Sequence, residues 1–310
     1  MEILLHLGAH RTATTTLQHM LGQSHVGLQG AGLGYWGPKR LRAGLFDGLY
    51  SANDPPLLGK SGRAQKRVRL QARKAADHGT ALLFVSEENM LGTMRRLLTQ
   101  TRLYDGAGAR VARFAAGFEG HGVTLGVSIR CYDAFWTSVI GWRLRHGGML
   151  PDGALCERLI TQPRRWRHVI ADLAQAMPGI AIRVWTHEAM AGRPDQLITQ
   201  LTGVRLAMRG QDAWCNPTPH AARLIAECRD RGLLDGAAAL PLRAGRFMPF
   251  STHQRAILRA QYQEDLDWLA AGAGGLATYI DTAGAKTQRL TGQGRGRPDD
   301  QDDGCLAQAG

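Results

Sequence analysis

Five short apolar runs, at residues 2–8, 33–36, 80–86, 123–129 and 180–186, alternate along the chain with longer segments whose apolar residues recur at helical spacing. Four of the five are almost continuously apolar, which is how strands covered on both faces read. Helices are predicted at 14–21, 63–78, 132–145, 163–177 and 194–201, with a closing helix at 253–271. Pro163 and Pro194 each suit a first helical position, where a missing N–H costs nothing. Such alternation specifies an α/β fold, a parallel sheet of about five strands with helices on both faces, and places ligands at the carboxyl ends of the strands.

Composition excludes other architectures. Of 310 residues, 44% are hydrophobic and 21% charged, too apolar for a disordered chain, and no run of about 18 uncharged apolar residues offers a membrane span. The chain reads as one domain over residues 1–283 followed by a tail, 284–310, rich in Gly, Gln, Asp and Arg, that buries too little apolar surface to order. Its five cysteines form no CxxC pair and no regular spacing, which suits neither a disulfide framework nor a zinc site and points to a reducing cytoplasm. The apolar run 3–7 lacks preceding basic residues and ends in Gly8-Ala9-His10, so it reads as a first strand rather than a secretory leader.

The formal charge is +12, which calls for an anionic partner: nucleic acid, a membrane surface or a small phosphorylated ligand. Ten basic residues between Lys39 and Lys74 against Asp47 and Asp54 supply +8 of it. A solvated helix face and an attraction for an acidic substrate both account for that run.

Residues Gly8-Ala-His-Arg-Thr-Ala-Thr-Thr-Thr16 follow the first strand and open a helix, where backbone amides and the helix dipole converge on an anion. Against the phosphate-loop pattern GxxxxGK[ST], Gly8 fits the first glycine, but Ala13 replaces the second and Thr14 stands where the lysine belongs. The cation lies inside the loop instead, as Arg11, among the hydroxyls of Thr12, Thr14, Thr15 and Thr16. That arrangement suits one compact charged group at the helix start and disfavours a nucleoside triphosphatase.

Further on, residues 123–130 form a strand ending in Arg130, and Cys131-Tyr-Asp-Ala-Phe-Trp-Thr-Ser138 enters a helix. A serine eight positions after an arginine, about two helical turns, can meet the same phosphate from its other side. A third segment, Ser86-Glu87-Glu88-Asn89, delivers two carboxylates to the ligand edge, as a Mg²⁺ ligand or as a general base.

Together these segments resemble the sulfotransferase family that uses 3′-phosphoadenosine 5′-phosphosulfate. LHLGAHRTATTTLQ is similar to that family's 5′-phosphosulfate loop, with Arg11 for the usual lysine and Ala13 for a glycine. SIRCYDAFWTSVIGWRL resembles its 3′-phosphate clamp, and SEEN its acidic segment, in which Glu88 aligns with the candidate base. The resemblance implies a P-loop-like fold and a sulfuryl donor held by His10, Arg11, Thr12, Ala13, Thr14, Thr15, Arg130 and Ser138. It implies Arg11 and Glu88 as the catalytic pair, no required metal, and a nucleotide donor and an acceptor, rather than nucleic acid, as partners. Glu87 can equally serve as an N-cap or as ion-pair partner of the loop arginine, and His10 is a further candidate acid or base. His187-Glu188 matches a late structural segment of the family, Arg243 and Arg246 a basic loop, and residues 37–77 nothing in it. Trp36, Phe46, Tyr50, Trp136 and Trp142 are candidate walls of an acceptor pocket, or core. The rival readings are a kinase or NTPase using Mg-ATP and a nucleotide-binding module without catalysis.

Overall fold

The computed structural model describes residues 1–50, 60–205, 221–234 and 240–280. The strands are β1 (Glu2–Gly8), β2 (Leu33–Trp36), β3 (Leu82–Ser86), β4 (Gly122–Ile129), β5 (Ala181–Thr186), the short β6 (Leu242–Arg243) and β7 (Arg246–Phe247), and β8 (Thr278–Tyr279). Six of them form one sheet in the order β2-β3-β1-β4-β5-β8, every pairing parallel, flanked by helices in an α/β, P-loop-like arrangement. β1 is central because both faces of it are apolar. Ile3, Leu5 and Leu7 enter one core, while Leu4 enters the other with Leu17, Met20 and Leu21 of the helix Thr14–Gln23. The chain goes from β1 to β2 and β3 on one side and then crosses to β4 on the other. The loops after β1 and β4 therefore flank the crevice where strand order reverses, the usual ligand position in such sheets.

The closing helix, Thr252–Ala270, is fastened by a capping box of Ser251 and Gln254 and buries Leu258, Tyr262 and Leu269. The sheet gains a sixth strand, β8, beside β5; two residues are too short to carry an alternation. The helix predicted from Pro163 begins at Trp166, because Arg165 and His168 form its capping box and Pro163 lies in the link before it. Helices Met94–Gln100, Ala107–Ala115, Gly153–Thr161 and Ala221–Asp230 were not predicted. Trp36, Phe46 and Trp136 are buried in the core rather than lining a pocket, and Trp142 stacks on His146. Arg243 and Arg246 flank the turn of the hairpin β6-β7 with exposed side chains, and Arg243 bonds Thr252. Cys131, Cys156 and Cys228 are free thiols. Among the described residues no helix is long and apolar enough to cross a membrane. The predicted tail 284–310 lies outside the described residues.

Candidate functional site

The loop leaving β1 turns back on itself at two left-handed residues, Arg11 and Ala13, both with φ 63°. Thr12 Oγ1 donates to the Ala9 carbonyl at 2.6 Å and Thr14 Oγ1 to the same oxygen at 3.3 Å, which closes the loop on its own backbone. Gly8, with φ +72°, permits this closure: a Cβ there would stand 2.9 Å from Thr14 Oγ1 and 3.3 Å from Glu88 Cβ. Ala13 is the N-cap of the helix Thr14–Gln23 and offers no side chain to its amides. That helix start, with its partial positive charge, has no acidic residue in its first turn.

The two arginines and the serine of the separate motifs meet here. Arg11 Nε donates to Ser138 Oγ at 2.8 Å, across the crevice from the helix Tyr132–Arg145. Arg130 Nη1 donates to the Arg11 carbonyl at 2.5 Å and so fixes the loop from the end of β4. Burial, then Arg130 and Arg145, lower the Arg11 guanidinium to about 10, still cationic at neutral pH. Arg130 is lowered by burial while Glu188 and Asp133 work the other way. Its buried Nε has no hydrogen-bond partner, and such an orphaned donor beside a second cation is suited to an anion. Glu188 does not pair with it directly. The carboxylate instead accepts from the Cys131 amide at 2.9 Å and from Tyr262 Oη at 2.9 Å, bracing the entry of the helix Tyr132–Arg145 against the closing helix.

Beside the loop a narrow cleft is lined by Thr12, Thr14, Thr16, His6, Ser128 and His187, with Met190 and Leu197 as apolar wall. Burial, Arg130 and Arg11 push the His187 imidazole down to about 4, opposed by its bond to the Thr12 backbone, so the ring is neutral at pH 7. Its Nδ1 and the Ser128 Oγ are buried without hydrogen-bond partners. His6, also lowered to about 4 by burial against the pull of Glu88, stacks on Trp185 with centroids 5.6 Å apart. The cleft thus combines aromatic and apolar walls with a few unpaired polar atoms.

The two carboxylates after β3 have separate surroundings. Glu87 is fully buried and saturated. Its oxygens accept from Arg42 Nε at 2.9 Å and Nη2 at 2.8 Å, from Tyr50 Oη at 3.0 Å and from the Asn89 amide at 3.0 Å. Of the two roles expected for it, it takes the cap; its cation is Arg42, not the loop arginine. Glu88 faces the loop, accepting from Gln18 Nε2 at 3.0 Å and from Arg42 Nη2 at 3.0 Å. Burial raises the Glu88 carboxyl, but His10, Arg42 and Gln18 outweigh it and hold the group below the usual carboxylate range. His10 is enclosed: Tyr104 Oη lies 2.9 Å from its Nδ1 and accepts its backbone N–H at 3.0 Å, and Nε2 lies 3.2 Å from Asn89 Oδ1. Burial lowers its imidazole too, and a ring held at both nitrogens is a loop brace rather than a proton carrier.

Arg11, Thr12, Ala13, Thr14, Arg130 and Ser138 are therefore brought together at the loop, with Glu88 at its edge and His10 behind it, while Thr15 lies in the first turn of the helix without a side-chain hydrogen bond to them. Arg42, Gln18, Ser128 and Tyr104 were missed. Two of them carried a signal, Gln18 as the last residue of the loop motif and Ser128 as the first of SIRCYDAFWTSVIGWRL. No protein-family model matches the chain, and no curated protein matches it in sequence. The class is thus defined by architecture: a parallel α/β, P-loop-like sheet whose first loop and fourth strand present cations at its switch point.

Proposed function

We propose that the chain is a sulfotransferase that moves a sulfuryl group from 3′-phosphoadenosine 5′-phosphosulfate to a hydroxyl or amine, in the cytoplasm. The observation that carries this reading is the meeting of Arg11, Ser138 and Arg130 at an uncapped helix start, with the Arg130 Nε buried and unpartnered. Two cationic elements, one on the loop after β1 and one at the end of β4, suit a nucleotide that carries phosphate on both sides of its sugar. The unpaired Ser128 Oγ and His187 Nδ1, beside the loop, are open to a polar group of the bound donor.

In this reading Arg11 and the first amides of the loop helix meet the negative charge that develops on the oxygen bridging phosphorus and sulfur as its bond to sulfur breaks. Glu88 takes the proton from the acceptor oxygen or nitrogen as that atom bonds to sulfur. Adenosine 3′,5′-bisphosphate and the sulfated acceptor are the products. Ionised at neutral pH, Glu88 is ready to accept that proton, and Gln18 and Arg42 fix its direction. Glu87 has its lone pairs filled by Arg42, Tyr50 and Asn89, which leaves a poor ligand for the magnesium of a triphosphate mechanism.

Transfer from a radiolabelled donor to a panel of hydroxyl and amine acceptors tests the proposal. Label incorporated by the wild type and lost in Arg11→Ala is expected. Hydrolysis of ATP at an unchanged rate in Arg11→Ala, with no sulfuryl transfer by either protein, is the refuting result.

A further inference from the structure

The charge that the nucleotide does not use lies on the helix Lys60–Asp77. Its face carrying Ala64, Val68 and Ala72 is buried in the core next to Phe118. The opposite face exposes Arg63, Lys66, Arg67, Arg73 and Lys74, a stripe spanning about 16 Å at 1.5 Å per residue. Like charges three and four residues apart oppose helix formation, and the first turn holds no acid to relieve them. Arg67 is anchored to the carbonyls of Leu45 and Asp47, and Arg69 pairs with Glu119. Among the described residues no acidic side chain pairs with Arg63, Lys66, Arg73 or Lys74.

The stripe is tied to the candidate base. Arg40 Nη2 donates to Gln71 Oε1 at 3.1 Å, and Arg67 holds the carbonyls of Leu45 and Asp47, so the basic helix grips the segment carrying Arg42. Arg42, partly exposed, reaches from that segment to Glu88 at 3.0 Å. Exposed Lys39 and Arg40 precede Arg42 on that segment, and Arg40 is the one that touches the helix. A track of cations thus runs from solvent to the carboxylate that takes the acceptor's proton.

We propose that this track docks a linear acidic polysaccharide and leads one of its hydroxyls to Glu88; the acceptor role rests on the sulfuryl-transfer reading. A row of charges this long complements a repeating polyanion better than a single phosphate. The stripe holds no aromatic side chain on which single-stranded bases could stack, and Leu70 is its one exposed large apolar residue, too little for an interfacial membrane helix. A carboxylated polysaccharide supplies both the charge and the hydroxyls.

The test titrates the full chain with hyaluronan and polygalacturonate oligosaccharides, with a single-stranded oligonucleotide of matched charge and with phosphatidylserine vesicles. A triple variant, Arg63→Glu with Lys66→Glu and Arg73→Glu, runs alongside. Adenosine 3′,5′-bisphosphate affinity serves as the control for folding. At least one oligosaccharide should bind in a salt-dependent manner and about tenfold more weakly to the triple variant, with bisphosphate affinity unchanged. Unchanged oligosaccharide affinity in the variant overturns the proposal, as does tighter binding of the oligonucleotide or the vesicles. Failure of both oligosaccharides to bind while the bisphosphate binds overturns the docking surface and leaves the donor reading standing. Oligosaccharide binding in a protein that ignores the bisphosphate overturns the acceptor role through the donor instead. Should the triple variant lose bisphosphate affinity, the pair Arg63→Gln with Lys66→Gln replaces it, with a smaller loss expected and no loss counting against the track.

Discussion

Arg42→Gln removes a guanidinium that makes two bonds to Glu87 and one to Glu88. Glu87 has no exposed surface, and after the substitution it keeps only Tyr50 Oη and the Asn89 amide as donors. Removing one partner of a fully buried pair costs about 3–5 kcal/mol. Arg42 itself is 36% exposed and two donors remain, so the expected loss is nearer about 2 kcal/mol. Urea unfolding should show a lower midpoint with an unchanged slope. A double-mutant cycle with Glu87→Gln should return a coupling of about 1–2 kcal/mol. The pH dependence has a defined sign. The depressed folded-state Glu88 carboxyl adds stability that is present above the ordinary carboxylate range and lost as pH falls through the folded value. With Arg42 gone that value rises, so the variant should lose less stability on acidification than the wild type. A loss under about 0.5 kcal/mol, or strict additivity in the cycle, would refute the view that Arg42 neutralises this carboxylate pair.

Other consequences concern the loop and the packing around it. Glu88→Gln should lower turnover by about 10²–10⁴ with bisphosphate affinity changed less than about threefold; steady-state transfer and calorimetry together check it. Ala13→Gly relieves a left-handed alanine at φ 63° and should stabilise the protein by about 1 kcal/mol in thermal unfolding, net of the looser unfolded chain. Gly108→Ala would drive a methyl group into the Asp172 backbone carbonyl and should destabilise by about 3 kcal/mol in the same assay.

The sheet was legible because buried parallel strands are apolar on both faces: β1 and β2 lie where their runs lie. Helix Tyr132–Arg145 was legible at both ends as well, and the structure brings the motif residues Arg11, Arg130 and Ser138 together. What was not legible depends on contacts between distant segments. Helix Ala107–Ala115 holds only Val111 and Phe114 as large apolar residues, too few to show a helical period, and Gly108 lets it approach Asp172 closely. Arg42 could not be told from its basic neighbours, because its distinction is a pair of carboxylates 45 and 46 residues away. Trp36 and Trp136 read equally well as pocket or core, and only packing decides between those.

In the proposed function Arg11, Arg130 and Ser138 form one site for a nucleotide bearing a 3′- and a 5′-phosphate. Calorimetric titration of the wild type and of Arg130→Ala with adenosine 3′,5′-bisphosphate, adenosine 5′-monophosphate and Mg-ATP tests it most directly. The bisphosphate should bind the wild type most tightly of the three, and Arg130→Ala should weaken it by about 10–100-fold and the monophosphate by clearly less, the latter only through the lost bond to the Arg11 carbonyl. Tight Mg-ATP binding with no preference for the 3′-phosphate, or equal bisphosphate affinity in the two proteins, would contradict the account.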